Sequence, residues 1–351
     1  TKPAVTQAWG LAYHPERIPN RPDTRFGIAS GTKGFTAAAV LELMAEGTIA
    51  VDEPRESGLR NDADAMPGLD ERPTRPQAGV CSETALTLST RLEELLPGRF
   101  PGFSPAITVR HLLTHTSGIP DYCDEEAGCD FEALWREQPV YGFTRPADFI
   151  PLFAEALPKF APGERFGYSN SGFIVLGLIL EAVTGGSYHE AVERLVFAPY
   201  GMSDAGFFRP DRLPGRCALG YLDAEDDAPR SNIFAIPVVG GPDGGAYVSA
   251  QDMHAFWITL FRSPERAALR ELVNRTSVQT GAEESPRYSL GFWMSTSWDA
   301  APFYYLTGSD PGVSFLSGFC PDDGRSFTIL ANRDVSLRPV LDVVFEALRL
   351  L

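Results

Sequence analysis

The chain has 351 residues, enough for one large core or two closely packed subdomains. Its 44% hydrophobic and 22% charged residues are those of a globular protein and exclude a disordered or fibrous chain. A formal charge of −16 without a concentrated run of Lys or Arg argues against nucleic acid as a partner.

The longest apolar stretch, Phe173 to Leu180, has 8 residues, against the roughly 20 of a bilayer crossing, so no membrane span is expected. The first residues show no apolar leader core. Five cysteines, at 81, 123, 129, 217 and 320, include no Cys-x-x-Cys pair. An odd set of this kind points to free thiols and a cytoplasmic chain, although Cys123 and Cys129, close together in an acidic loop, could pair in an exported one.

In chain order, residues 32–46 place Phe35, Ala39, Leu43 and Met44 at helical spacing, and Gly47 stops that helix. Residues 53–83, with Pro54, Pro67, Pro73 and Pro76, read as a long surface loop inside an insertion at 50–85. Helices are expected at 108–115, ending at Ser117-Gly118, near 146–156 with Pro146 in the first turn, and near 188–197. The almost wholly apolar 171–184 should be a buried central helix. After a helix at 250–262 come YSLGFWMST (288–296), FYYLT (303–307), VSFLSGF (313–319) and SFTILAN (326–332), the pattern of an antiparallel meander. An amphipathic helix at 338–351 follows. The architecture is therefore α+β, an antiparallel sheet flanked by helices. A sheet subdomain would take about 1–47 and 240–351, and an all-helical subdomain about 86–239.

The chemistry starts from the scarcity of lysine: only Lys2, Lys33 and Lys159 occur, against 27 Arg. Chance gives fewer than one Ser-x-x-Lys, and one occurs, Ser30-Gly-Thr-Lys33. At a helix start this spacing brings the Lys33 amine to the Ser30 hydroxyl, beside backbone N–H groups that favour a developing oxyanion. Arg could not replace Lys33 as a base, because guanidinium does not deprotonate in proteins. Burial beside the apolar helix would help to lower the pKa of Lys33. A capping Ser30 with a solvated Lys33 is the simpler alternative. Tyr168-Ser169-Asn170 immediately precedes the buried helix. Ser169 or Asn170 suits an N-cap, while Tyr168 could relay a proton and Asn170 orient Lys33 or a substrate amide.

His111 and His115 lie four apart as in zinc proteases, but Leu112-Leu113-Thr114 between them supplies no glutamate base, so they read as structural. Asp243-Gly244-Gly245 reads as a tight turn at the rim of the site, not a metal site. No Gly-x-Ser-x-Gly occurs, which counts against an α/β-hydrolase.

FGIASGTKGFTAAAVLELMAEG, ITVRHLLTHTSGIPDY (107–122) and PGERFGYSNSGFIVLGLILE (162–181) resemble the serine β-lactamase and penicillin-binding-protein superfamily, nearest to its class C-like esterases and D-amino-acid peptidases. The resemblance implies a β-lactamase/transpeptidase-like fold, with Ser30 as nucleophile, Lys33 as base and Tyr168 in the proton relay. It also implies Thr307, Gly308 and Ser309 beside the substrate, with the N–H groups of Ser30 and Ser309 as the oxyanion hole.

Three features depart from the pattern. The chain starts within what would be the family's second strand, and 50–85 has no counterpart. In the third motif Leu306 stands where the family commonly has a cation, which should leave the cleft wall apolar, with Arg333 as the alternative anchor for a carboxylate. The resulting reading is a cofactor-free, metal-free serine hydrolase that forms an acyl-enzyme on a small ester, amide or peptide. A non-catalytic binding or regulatory protein on the same fold is the alternative.

Overall fold

The computed structural model describes residues 5–49, 85–124, 126–222, 229–298 and 301–350. The expected insertion at 50–85 lies outside these residues apart from Ala85.

The N-terminal part forms a short hairpin of β1 (Leu11–Tyr13) and β2 (Ile18–Pro19). It is followed by β3 (Phe26–Gly27), which pairs antiparallel with β4 (Tyr247–Val248). Helix α1 (Lys33–Ile49) is buried from Lys33 to Leu41 on every side. The one-sided spacing read from its sequence therefore understates it, and its alanines and glycines let it sit inside the molecule.

Short helices α2 (Leu92–Leu95), α3 (Val109–Leu113) and α4 (Phe131–Glu137) precede α5 (Asn170–Thr184). Helix α5 is buried without interruption from Asn170 to Leu180 and ends at Gly185, whose φ of 70° closes its last turn. The segment expected as a helix near 146–156 is a 3-10 helix, Pro146–Leu152, with Pro151 inside it. The expected helix at 188–197 divides into α6 (Tyr188–Val192) and a π turn, Glu193–Phe197.

The C-terminal third supplies α7 (Ala250–Arg262), α8 (Ala267–Arg275), β5 (Val278–Gln279), β6 (Arg287–Ser289), β7 (Phe292–Trp298), β8 (Ala301–Asp310), β9 (Val313–Phe319), β10 (Ser326–Ala331) and α9 (Arg338–Leu350). Helix α8 was not read from the sequence. The strands make one antiparallel sheet in the order β10-β9-β8-β7-β6-β5. Alternation divides its faces. Leu306, Phe315 and Phe319 join α1 and the α7 residues Trp257 and Phe261 in the main core. Phe303 and Phe327 pack on the other face against Leu341, Val344 and Phe345 of α9.

YSLGFWMST, read as one strand, is two. Leu290 and Gly291, with φ of 38° and 94°, make a two-residue turn that pairs Ser289 with Phe292. Positive φ at both central residues matches the right-handed twist of a hairpin.

Cys123 and Cys129 form a disulfide, with Cα atoms 5.3 Å apart. This corrects the expectation of free thiols. The loop between them turns back within seven residues and brings the two side chains into bonding geometry. Cys217 and Cys320 are free, and Cys81 lies outside the described residues. Since disulfides persist in oxidising compartments, the thiol argument for a cytoplasmic chain no longer holds. Non-reducing peptide mapping should recover the 123 and 129 peptides linked to each other, with 217 and 320 alkylatable after denaturation. Linkage of either cysteine to another partner would contradict this loop.

Candidate active site

Ser30 is presented by a strained turn between β3 and α1. Ile28 N–H donates to Ala246 (2.9 Å), and Ala29 then adopts φ 46°, uncommon for a residue with a side chain. Its carbonyl accepts from Gly245 N–H (3.2 Å) and the Thr32 hydroxyl (2.8 Å). Thr32 Oγ1 also accepts from Ala246 N–H at 2.9 Å. Residues 29–32 form a 3-10 turn and Lys33 opens α1. In a 3-10 turn positions i and i+3 eclipse, and Lys33 Nζ lies 2.9 Å from Ser30 Oγ.

Lys33 is 2% exposed. Its Nζ also lies 2.7 Å from Asn170 Oδ1 and 2.6 Å from the Asp243 carbonyl. An ammonium has three donors, and three oxygens receive them. A neutral amine has two, and the two pure acceptors, Asn170 Oδ1 and the Asp243 carbonyl, take both, leaving the lone pair toward the Ser30 hydroxyl. The same neighbours satisfy Lys33 in either protonation state. Lys33 and Tyr168 lie side by side, with Nζ 4.9 Å from the centre of the Tyr168 ring.

Within Tyr168-Ser169-Asn170 the helix cap and the contact with Lys33 fall on different residues. Ser169 caps α5, its Oγ accepting from Gly172 N–H at 3.0 Å, and this leaves Asn170 for Lys33. His115 backs the turn. Its ring lies 4.4 Å from Tyr168, and its Nδ1 accepts from Ser169 N–H at 3.1 Å. Complete burial and then the charge of Lys33 hold its pKa well below the usual histidine range, so it is neutral. His111 Nδ1 accepts from Thr108 N–H at 3.2 Å and closes the capping box of α3. The two histidines hold the starts of α3 and α5, and among the described residues no cluster suits a metal ion.

Sequence reasoning missed Asp121, Tyr122 and the Asp243 carbonyl. Asp121 Oδ2 accepts from Asn170 N (2.9 Å) and Nδ2 (3.3 Å), and its Oδ1 accepts from Ser171 N (2.9 Å) and Oγ (3.1 Å). Burial raises its pKa to about 6, against the lowering effect of those bonds and of Lys33. Tyr122 donates its hydroxyl to Asp243 Oδ2. Burial also raises the pKa of Asp243, and Lys33 opposes this. The available signal was Asp121 itself, a carboxylate in the otherwise uncharged run from Leu112 to Cys123. Gly241 and Gly244 close the turn that carries Asp243 to Lys33.

Strand β8 passes close behind Ser30. A side chain at Gly308 would meet the Ser30 nitrogen at 2.8 Å, so only glycine permits this approach. The β7–β8 register runs through Trp293↔Tyr305 and no further, which leaves 307–310 without a strand partner on that side. Thr307 Oγ1 donates to the Phe315 carbonyl at 3.2 Å. Leu306 does not form the apolar cleft wall expected of it: it is 2% exposed, with its methyl groups over Gly34 of α1. The even positions of β8 face the core, and this turns 306 under the site.

Ser309 and Asp310 reach a cavity of about 630 Å³, which Ser30, Tyr122, Asn170 and the Cys123–Cys129 disulfide also line. Asp130, Asp243, Asp310 and Asp334 lie on its wall, and Arg230, rather than Arg333, is the cation there.

The Beta-lactamase family model matches residues 1–347. Esterase EstB of Burkholderia gladioli is 32% identical over 322 residues, 84% of this chain and 72% of that protein. A D-aminopeptidase of Cereibacter sphaeroides is 29% identical over 83% of this chain, which spans 46% of the length of that enzyme. The crystal structure of a penicillin-binding protein from Bacillus halodurans superposes with a TM-score of 0.81 at 38% identity, covering 99% of this chain and 94% of its own. The chain belongs to the beta-lactamase family and is a serine hydrolase of the kind that acts on esters or amides.

Proposed function

We propose that Ser30 is the nucleophile of an acyl-enzyme mechanism and that Lys33 and Tyr168 move its proton. The observation that carries this is the placement of Lys33 Nζ, 2.9 Å from Ser30 Oγ, with two carbonyl oxygens to receive its remaining N–H groups. Attack of Ser30 Oγ on the substrate carbonyl transfers the hydroxyl proton to Nζ. The Ser30 and Ser309 N–H groups stabilise the oxyanion, in keeping with the close approach of Gly308 to Ser30. Tyr168, beside Nζ, passes the proton to the leaving group, and water then releases the acyl group. In the same reading, about 86–239 form the helical subdomain and about 1–47 and 240–351 the sheet subdomain, with the cavity between them.

The substrate is a neutral ester, amide or peptide. Among the described residues, the four aspartates and one arginine on the cavity wall oppose an anionic group more than they attract one. Leu306, buried over Gly34, offers no charge to a carboxylate.

Three outcomes test this. A fluorophosphonate probe should add once per chain by intact mass, and the adduct should vanish in Ser30→Ala. Lys33→Arg keeps the charge but cannot accept a proton, so turnover of a p-nitrophenyl ester should fall about 10²-fold or more. Finally, kcat/KM for p-nitrophenyl butyrate should exceed that for a chromogenic cephalosporin by at least about tenfold, because a charge-assisted anchor of the missing kind is worth one to two orders of magnitude. A cephalosporin preference would make Arg230 the carboxylate anchor instead.

A further inference from the structure

Asp121 and Tyr122 are adjacent in sequence, and each holds one of the two oxygens that fix Lys33. Asp121 takes the backbone N–H and amide of Asn170, whose Oδ1 accepts from Lys33. Tyr122 takes the side chain of Asp243, whose carbonyl accepts from Lys33. Ser171 binds the two together, donating its hydroxyl to Asp121 Oδ1 (3.1 Å) and accepting Tyr122 N–H (2.9 Å). The following residue, Cys123, is tied to Cys129.

We propose that residues 121–123 are a strap that positions Lys33, and that the strap works only while the Asp121 carboxylate is ionised. The proposal rests on the reading of Lys33 as the base.

Four donors converge on Asp121: two backbone N–H groups, an amide N–H and a hydroxyl. A carboxylate offers only acceptors, whereas a protonated carboxyl turns an O–H toward one of these donors and breaks a bond. The Asn170 amide then loses the contact that directs its Oδ1 at Lys33. The charged or titratable groups facing Asp121 are Lys33 from α1 and the neighbouring Tyr122 hydroxyl, while Ser171 and Asn170 of α5 are uncharged. Asp243, the other carboxyl within reach of Lys33, is already engaged by Tyr122. Burial brings the Asp121 pKa to about 6. Above that pH the strap is closed, and as the pH falls through about 6 the carboxyl takes up its proton and activity declines. Asp121 and Tyr122 are thus positioning residues, since neither touches the reacting atoms.

The test is kcat and KM for p-nitrophenyl butyrate from acid to mildly alkaline pH, with folding followed by circular dichroism. Asp121→Asn should lower kcat about 10²-fold, leave KM nearly unchanged and remove the acid inflection near pH 6 assigned to Asp121, leaving only the limb set by protonation of Lys33. Ser171→Ala removes a donor that favours ionised Asp121, so it should move the acid limb to higher pH, a shift that a merely structural role would not produce. Tyr122→Phe should lower kcat without raising KM. Folded Asp121→Asn with native kcat and that inflection intact overturns the proposal. So does a Ser171→Ala limb that stays in place, and this variant decides the question if Asp121→Asn does not fold. Lys33→Arg is measured in parallel: if it turns over normally, the base reading fails, whereas an inactive Lys33→Arg beside a normal Asp121→Asn overturns the strap alone.

Discussion

A lysine amine buried at 2% exposure must find partners for its protons inside the protein, and the site is organised around meeting that demand. The three oxygens come from three separate segments: the 3-10 turn of Ser30, the first residue of α5, and the glycine-rich turn before β4. Loss of one would leave a buried polar group short of a bond, a cost of about 1–3 kcal/mol. The lysine therefore joins a helix of the central region to the strands that lead to Ser30, because β4, which follows the Asp243 turn, pairs with β3, which precedes Ser30. The contacts that fix the Lys33 amine beside Ser30 are thus also contacts that hold these three segments together.

The parts of the site contained in one turn of chain were legible in the sequence. Ser-x-x-Lys at a helix start is a local geometry, and local sterics alone bring its two ends together. The refinement the structure adds is that the turn is 3-10, so the two side chains eclipse. Tyr168-Ser169-Asn170 was legible for the same reason, since a cap and the residue after it point in different directions. The uninterrupted apolar run of α5 likewise carried its own burial.

What escaped was whatever depends on contacts distant in sequence or on turns without a standard composition. Asp121 lies 49 residues from Asn170, and no local pattern distinguishes a carboxylate facing a helix N-terminus from one facing water. Leu290 is a poor residue for positive φ, so the hairpin at Leu290-Gly291 was concealed within what looked like a single strand. The Cys123–Cys129 pair was named only for an exported chain, because composition does not reveal the path of the short loop that closes it. Leu306 shows the limit most clearly: the run Leu306-Thr307-Gly308 is plain in the sequence, but which face of β8 Leu306 occupies depends on the register with β9.

Ala29 carries a different kind of consequence. Its φ of 46° places a Cβ where L-residues are disfavoured by about 1–2 kcal/mol, in a residue only 1% exposed. Glycine would adopt the same backbone without that strain, so position 29 is one where the folded state could readily become more stable. It would also widen the conformational range of the residue that aims Ser30, and the positioning of the hydroxyl against Lys33 would weaken. Stability and exact placement of the Ser30 hydroxyl thus pull in opposite directions at this position, and selection on thermal robustness alone would tend to erode the geometry between Ser30 and Lys33.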